Sequence, residues 1–159
     1  MRVMTSVSSR EQRYRTSLEA VAPGLADDLK RIVDLEAEKA ERAISYLLGL
    51  ACRAGHVGNI QLGRNALLAM PRSWLTERIE AIAARAIDER DEWEFLRLLE
   101  LYDRLEAELV LRVALRGRVS SNPEIAEAAQ DFLSVRATGS PRARAPWGLA
   151  QRRRGRKGL

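Results

Sequence analysis

Three helix-start signals recur along this chain at nearly equal spacing, and this spacing constrains the fold more than any other feature. Asn59-Ile60 opens one apolar segment, Asp91-Glu92-Trp93 opens a second, and Asn122-Pro123 opens a third. The starts lie 32 and 31 residues apart, and a period between about 20 and 50 residues is typical of stacked structural repeats. The sequence therefore predicts repeated helix pairs from Asn59 to Phe132.

The first predicted pair has the clearest signals. Asn59 is a suitable N-cap for a helix that runs to Met70, where Pro71 forces an end. Its partner is predicted over residues 72–87, because apolar residues recur there at steps of four, three and four: Leu75, Ile79, Ile82 and Ala86.

The later pairs follow the same plan. Asp91 with Glu94 predicts a capped helix, and its partner carries Leu105, Leu109 and Val113 before Gly117 ends it. Asn122 followed by Pro123 is a cap with proline at the first helical position. Because the turns are short, neighbouring helices should be antiparallel, and adjacent pairs must stack to bury their apolar faces.

The N-terminal third is also predicted to be helical. Ser8 with Glu11 suggests a capping box for a helix to about Val21, which Pro23-Gly24 ends. Residues 25–53 form an amphipathic segment whose apolar register weakens around residues 36–39, so it is either one long helix or two with a bend. Ala and Leu dominate the apolar residues and aromatics are only 5%, which favours an all-α fold.

The repeated segments resemble HEAT-type α-solenoid repeats over residues 56–134. The likeness is carried by residues 59–67 (NIQLGRNAL) and residues 122–129 (NPEIAEAA). In that family an acidic or amide residue opens the helix and an alanine packs between layers, which here would be Ala66 and Ala128. The middle unit departs from the pattern, with Trp93 and Phe95 where small residues are expected. The resemblance implies a short right-handed stack of antiparallel helix pairs that binds another protein, and it carries no catalytic residues.

Charge divides the chain into a body and a tail. Eight of the 27 Lys and Arg residues lie from Arg136 onward, where there is no acidic residue, so residues 1–135 hold 19 basic and 22 acidic residues. We therefore expect one helical domain over residues 9–135, with capping helices at 9–55 and repeats at 56–134, followed by a disordered Arg-rich tail at 136–159.

The tail is a candidate for binding nucleic acid or an acidic partner. Arginine-rich segments bind phosphate backbones through charge, and a tryptophan can stack on a base. A merely solubilising tail fits the composition equally well. The candidate residues are Arg142, Arg144, Trp147, Arg152, Arg153, Arg154, Arg156 and Lys157.

Several features predict a cytoplasmic protein. Cys52 is the only cysteine, so no intrachain disulfide is possible. Residues 1–10 are polar and predict no signal peptide, and the longest apolar run, residues 44–52, falls short of the roughly 20 residues that a membrane span needs. Arginine outnumbers lysine 24 to 3, which fits a GC-rich bacterial genome.

No group of residues predicts catalysis. His56 is the only histidine and lies in a Gly-flanked turn, so we interpret it as a turn or helix-terminus residue. One Cys and one His exclude the common zinc frameworks. The carboxylates of residues 27–41 and 88–94 are interpreted as a solvated helix face and a helix start. We expect no enzyme, cofactor, metal, membrane partner or small-molecule substrate.

The candidates for partner binding in the body are Arg64, Trp74, Arg78 and Arg85. Arg78 and Arg85 are seven residues apart and so share a helix face, and Trp74 lies just before the clear apolar stripe. Phe95 and Tyr102 are expected in the core instead. The predicted function is a non-catalytic scaffold or adaptor for protein–protein interaction, and the alternative is a nucleic-acid-associated protein that binds through its tail.

Overall fold

A computed structural model describes residues 7–138, and every regular element among these residues is helical. The predicted all-α class is therefore confirmed for this part of the chain. The chain divides into two compact units, with the boundary between Ala86 and Ile87. No helix in the described range is long and apolar enough to cross a membrane. The tail candidates from Arg142 to Lys157 lie outside the described residues.

Over residues 7–86, the first unit contains five α-helices and two short segments of other helical types. The segments are a 3₁₀ helix at Leu29–Asp34 and a π-helix at Gly49–Arg53. The α-helices are α1 (Ser9–Val21), α2 (Ala37–Leu48), α3 (Val57–Ala69), α4 (Arg72–Thr76) and α5 (Ile79–Ala86). Helix α2 is central to this unit, because it packs against α1, α3 and α5.

Helix α1 begins and ends as the sequence predicts. The Ser8 hydroxyl accepts a hydrogen bond from the Glu11 N–H at 3.2 Å. After the helix ends, Gly24 adopts φ +79°, a left-handed conformation that glycine takes without steric cost. The Gly24 N–H donates to the Glu19 carboxylate at 2.9 Å and so ties the turn back to α1.

The segment 25–53 is not one helix. The 3₁₀ helix ends at Asp34, Leu35 and Glu36 are extended, and α2 starts at Ala37. The break lies where the apolar register weakens in the sequence. The structure therefore shows two helical elements with a bend between them and not one long helix.

The predicted start of α3 was wrong by three residues. Asn59 lies inside the helix, and the cap is His56, whose Nδ1 accepts a hydrogen bond from the Gly58 N–H at 3.0 Å. The interpretation of His56 as a helix-terminus residue is therefore confirmed. The predicted end before Pro71 is correct, since α3 stops at Ala69.

In the described part of the second unit, residues 87–138, three helices pack against one another: α6 (Glu92–Leu105), α7 (Ala107–Arg118) and α8 (Pro123–Thr138). Both predicted caps are confirmed. The Asp91 carboxylate accepts from the N–H groups of Trp93 and Glu94 at 2.9 and 3.0 Å, and the Asn122 side chain accepts from the Glu124 N–H at 3.0 Å.

The core of this unit contains both aromatic residues that were expected to be buried. Phe95 and Tyr102 are each 1% exposed. Gly117 lies buried near the end of α7, against the Phe95 ring and Ala129. The glycine was predicted as a helix stop, but the structure uses it to let Phe95 pack against the α7 backbone.

The predicted boundary of the basic tail was wrong. Helix α8 continues to Thr138, so Arg136 is part of a helix and not of a tail that begins at that residue. Its guanidinium forms an ion pair with Asp103 of α6 at 2.8 Å. Arg136 therefore helps to hold α8 against α6.

Candidate functional site

An open groove of about 390 Å³ lies in the first unit along α2, α4 and α5. Its floor is apolar and includes Ile44 and Ile82, which are buried. One end is formed by residues just before α2, where Val33 is 41% exposed. The lining residues are Val33, Leu35, Ala37, Ala40, Glu41, Ile44, Trp74, Glu77, Arg78, Ala81, Ile82 and Arg85.

The Trp74–Arg78 pair forms one wall of this groove. The Arg78 guanidinium carbon lies 4.5 Å from the centre of the Trp74 ring, within the range of a cation–π interaction. The same guanidinium donates a hydrogen bond to the Trp74 carbonyl at 2.8 Å. These two contacts fix the indole as a partly exposed wall of the groove.

The Trp74–Arg78 contact also explains why the predicted helix over residues 72–87 is broken. In a continuous helix the Trp74 carbonyl would accept from the Arg78 backbone N–H, but that N–H donates to the Leu75 carbonyl instead. Competition of a side chain for a ladder carbonyl is a known cause of helix breaks. The chain therefore forms α4 and α5 with Glu77 and Arg78 between them.

Ion pairs occupy the charged rim of the groove. Arg85 of α5 pairs with Glu41 of α2, and Arg78 pairs with Glu77 at 3.3 Å. All four side chains are well exposed to solvent, so each pair contributes little to stability, about 0–1 kcal/mol. Their main effect is to leave the rim without net charge.

The structure brings together three of the four residues predicted for partner binding in the body. Trp74, Arg78 and Arg85 all line this groove. Arg64 does not, and its side chain is only 2% exposed, so it cannot present a guanidinium at the surface as expected. The residues 142–157 predicted in the tail are outside the described residues.

Sequence reasoning missed the opposite side of the groove. That side consists of Val33, Leu35 and Glu41, which lie 33 to 41 residues before Trp74. No local pattern connects them to it. Val33 does carry a signal, since it is an apolar residue outside the stripe of its segment. The Glu41–Arg85 pair depends on the packing of α2 against α5.

The groove offers binding groups and no nucleophile. Its ionisable side chains are two arginines and two glutamates, each in an ion pair. His56 serves as a helix cap and Cys52 is buried. Within residues 7–138 no three His, Cys, Asp or Glu side chains are grouped so that they could hold a metal ion. The arrangement suits reversible, non-covalent binding.

Three comparisons with known proteins found no match for this chain. No protein-family model, curated protein or solved structure matches it significantly. The likeness to HEAT-type repeats therefore rests on the residues of the sequence alone and stays a prediction.

Proposed function

We propose that this chain is a non-catalytic protein-interaction module of HEAT-like helical repeats, whose groove beside α2 holds an apolar segment of a partner protein. The observation that carries the proposal is the meeting of an apolar floor with the fixed Trp74–Arg78 pair in one open groove. Tryptophan and arginine are the residues most enriched among the energetic anchors of protein interfaces.

The shape and lining of the groove favour a peptide or helix as its ligand. An amphipathic helix binds such a groove by inserting apolar side chains spaced three or four residues apart. The buried floor residues Ile44 and Ile82 and the exposed Val33 supply apolar contacts along the groove. Because Trp74 is held by Arg78 before any partner arrives, little side-chain entropy is lost on binding.

The neutral rim predicts the electrostatics of the interaction. Both arginines of the groove are already paired with glutamates, so the partner needs few charges of its own. Binding through this surface should depend weakly on salt.

The direct test compares Trp74→Ala with a matched variant, Trp93→Ala. Arg97 lies over Trp93 at 5.5 Å with the same four-residue spacing, but that pair belongs to the second unit and not to the groove. The protein partner is first captured on full-length protein and identified, and its affinity is then measured by calorimetry. Trp74→Ala should lose about 2 kcal/mol or more of binding free energy, the scale of an aromatic anchor, whereas Trp93→Ala should bind normally. Equal loss in both variants would refute the groove as the binding surface.

The alternative is a nucleic-acid-associated protein, and the charge of the tail is what favours it. Seven basic residues and no acidic one lie between Arg142 and Lys157. The same capture is repeated with a chain that ends at Thr138, with and without nuclease. Retention of the partner in both cases supports the groove. Loss on truncation or nuclease treatment, together with a steep fall of binding with salt, supports the tail.

A further inference from the structure

A second groove of about 470 Å³ lies in the first unit, and its lining differs in chemistry from the first. It is formed by α1, the C-terminal end of α2, the π-helix and α3. Six of its ten residues offer hydrogen-bond donors without charge, two are arginines, two are leucines and none is acidic: Arg10, Gln12, Arg13, Tyr14, Thr16, Ser17, Tyr46, Leu50, Asn59 and Leu62.

The two arginines of this groove carry charge that no carboxylate offsets. Arg10 and Arg13 are three residues apart on α1, so they lie on one side of that helix. Neither forms a salt bridge with any residue in the range 7–138, although Arg15 on the same helix pairs with Asp27. Of the carboxylates on α1, Glu19 binds the Gly24 N–H and Glu11 does not line the groove. An anion is the natural complement to such a lining.

The position of Arg10 adds to the positive potential. Its guanidinium lies against Gly58 in the first turn of α3, close enough that a Cβ at Gly58 would be 2.5 Å from Nη1. A helix N-terminus carries a partial positive charge, and carboxylates in the first turn usually offset it. Helix α3 has no acidic residue in its first turn, and the guanidinium of Arg10 from α1 lies against that turn. Two positive groups therefore meet at the edge of the groove.

The Arg10 side chain also contacts the ring of His56. The Arg10 Nη2 lies 3.0 Å from the His56 Nε2, and the His56 Nδ1 accepts a hydrogen bond from the Gly58 N–H. These contacts keep the Arg10 guanidinium beside the start of α3, at the edge of the groove.

We infer that this groove binds a phosphate-bearing small molecule, with its phosphate held by Arg10 and Arg13. Guanidinium groups match phosphate oxygens in geometry and charge. The hydroxyls of Tyr14 and Tyr46 and the amide of Asn59 supply further donors, and burial raises the pKa of Tyr14, so that its hydroxyl keeps its proton. The phenol rings and the leucines provide an apolar surface on which a ring of the ligand can stack.

The test is a ¹H–¹⁵N NMR titration of the full chain with two probes, sodium pyrophosphate and ADP. Saturable shifts confined to α1 and the start of α3 are expected with both. If ADP binds more tightly than pyrophosphate and shifts the signals of Tyr14 and Tyr46, the ligand class is a nucleotide. If the two probes bind with equal affinity, the phosphate groups alone determine binding. Absence of saturable shifts with both probes would overturn the inference.

Matched variants separate a binding site from a general effect of charge. Arg13 is exposed, so the variant Arg13→Gln should fold normally. It should weaken pyrophosphate binding about tenfold, the scale of one lost charge-assisted hydrogen bond. Arg10→Gln should do the same. Arg15→Gln removes the same charge from the same helix but does not line the groove, so it should leave the affinity unchanged. Equal weakening by Arg15→Gln would show that only net charge matters and would overturn the inference.

Discussion

Replacement of Gly63 by alanine should destabilise the first unit, although it improves the helix propensity of α3. A Cβ built on Gly63 would lie 2.6 Å from the Ala51 nitrogen, 2.7 Å from the Leu47 carbonyl oxygen and 2.8 Å from the Leu50 Cβ. Two of these three atoms belong to the backbone and cannot move by a change of rotamer. The methyl group therefore has to push α3 away from the end of α2 and from the π-helix that follows it.

The expected magnitude is the difference of two opposing effects. Alanine in place of glycine inside a helix contributes about 1 kcal/mol of stability, whereas an extra methyl group in a well-packed core costs typically about 1–3 kcal/mol. Because backbone atoms meet the new methyl group, the cost should lie near the upper end of that range. We expect a net loss of about 1–2 kcal/mol.

The assay is urea unfolding of the full chain, followed by circular dichroism, with Gly49→Ala as the control. Gly49 has helical backbone angles, and a Cβ there would meet no atom within 4 Å, so this variant should gain about 0.4–1 kcal/mol. The midpoints of the two variants should move in opposite directions at an unchanged slope. If Gly63→Ala gains as much stability as Gly49→Ala, α3 does not approach α2 as closely as described.

Three further changes test the second unit. Gly117→Ala places a Cβ 2.2 Å from the Phe95 ring and should lower the urea midpoint. The loss should be smaller than for Gly63→Ala, because a side-chain ring can shift and backbone atoms cannot. An unchanged midpoint would contradict this packing. Asp91→Ala removes the acceptor for two N–H groups of α6 and should cost about 1 kcal/mol in the same assay, whereas no loss would mean that the cap is dispensable. The hydrogen bond from Arg90 lowers the pKa of Asp88 in the folded state. This contact therefore stabilises the fold fully at pH values above the ordinary aspartate pKa of about 4. The stabilisation is lost as the pH falls through the lowered pKa of the folded state. Arg90→Gln removes the guanidinium but keeps the backbone N–H of residue 90, which also donates to Asp88, so the pKa of Asp88 should rise part of the way towards its ordinary range in a ¹³C NMR titration. An unmoved pKa would exclude the side-chain contact.

Local signals in the sequence predicted several helix ends correctly. Ser8, Asp91 and Asn122 were identified as caps, and each accepts a hydrogen bond from the first turn of its helix. Pro71 marks the end of α3 as expected. These residues act within four positions of the chain, because capping and the missing proline N–H depend only on nearby backbone groups.

The errors occurred where a contact distant in sequence, or a side chain acting on the backbone, prevails over periodicity. The apolar stripe of residues 75–86 continues through Glu77 and Arg78, yet the Arg78 guanidinium takes the Trp74 carbonyl and ends α4. At the start of α3, His56 replaces Asn59 as the cap. The last residues of α8 are held in part by the ion pair of Arg136 with Asp103, 33 residues earlier.

The sequence by itself determined the all-helical class of residues 7–138, the starts of α1, α6 and α8, and the burial of Phe95 and Tyr102. Propensity, capping and periodicity act over one or two turns and so can be read locally. Only the tertiary structure decided that Trp74, Arg78 and Arg85 face α2 across one groove, and that Arg10 and Arg13 line another without a carboxylate beside them. A groove is made by residues from separate helices, and their meeting depends on how those helices pack. The close approach of α3 to α2 at Gly63 is one such packing contact, and no pattern within either helix records it.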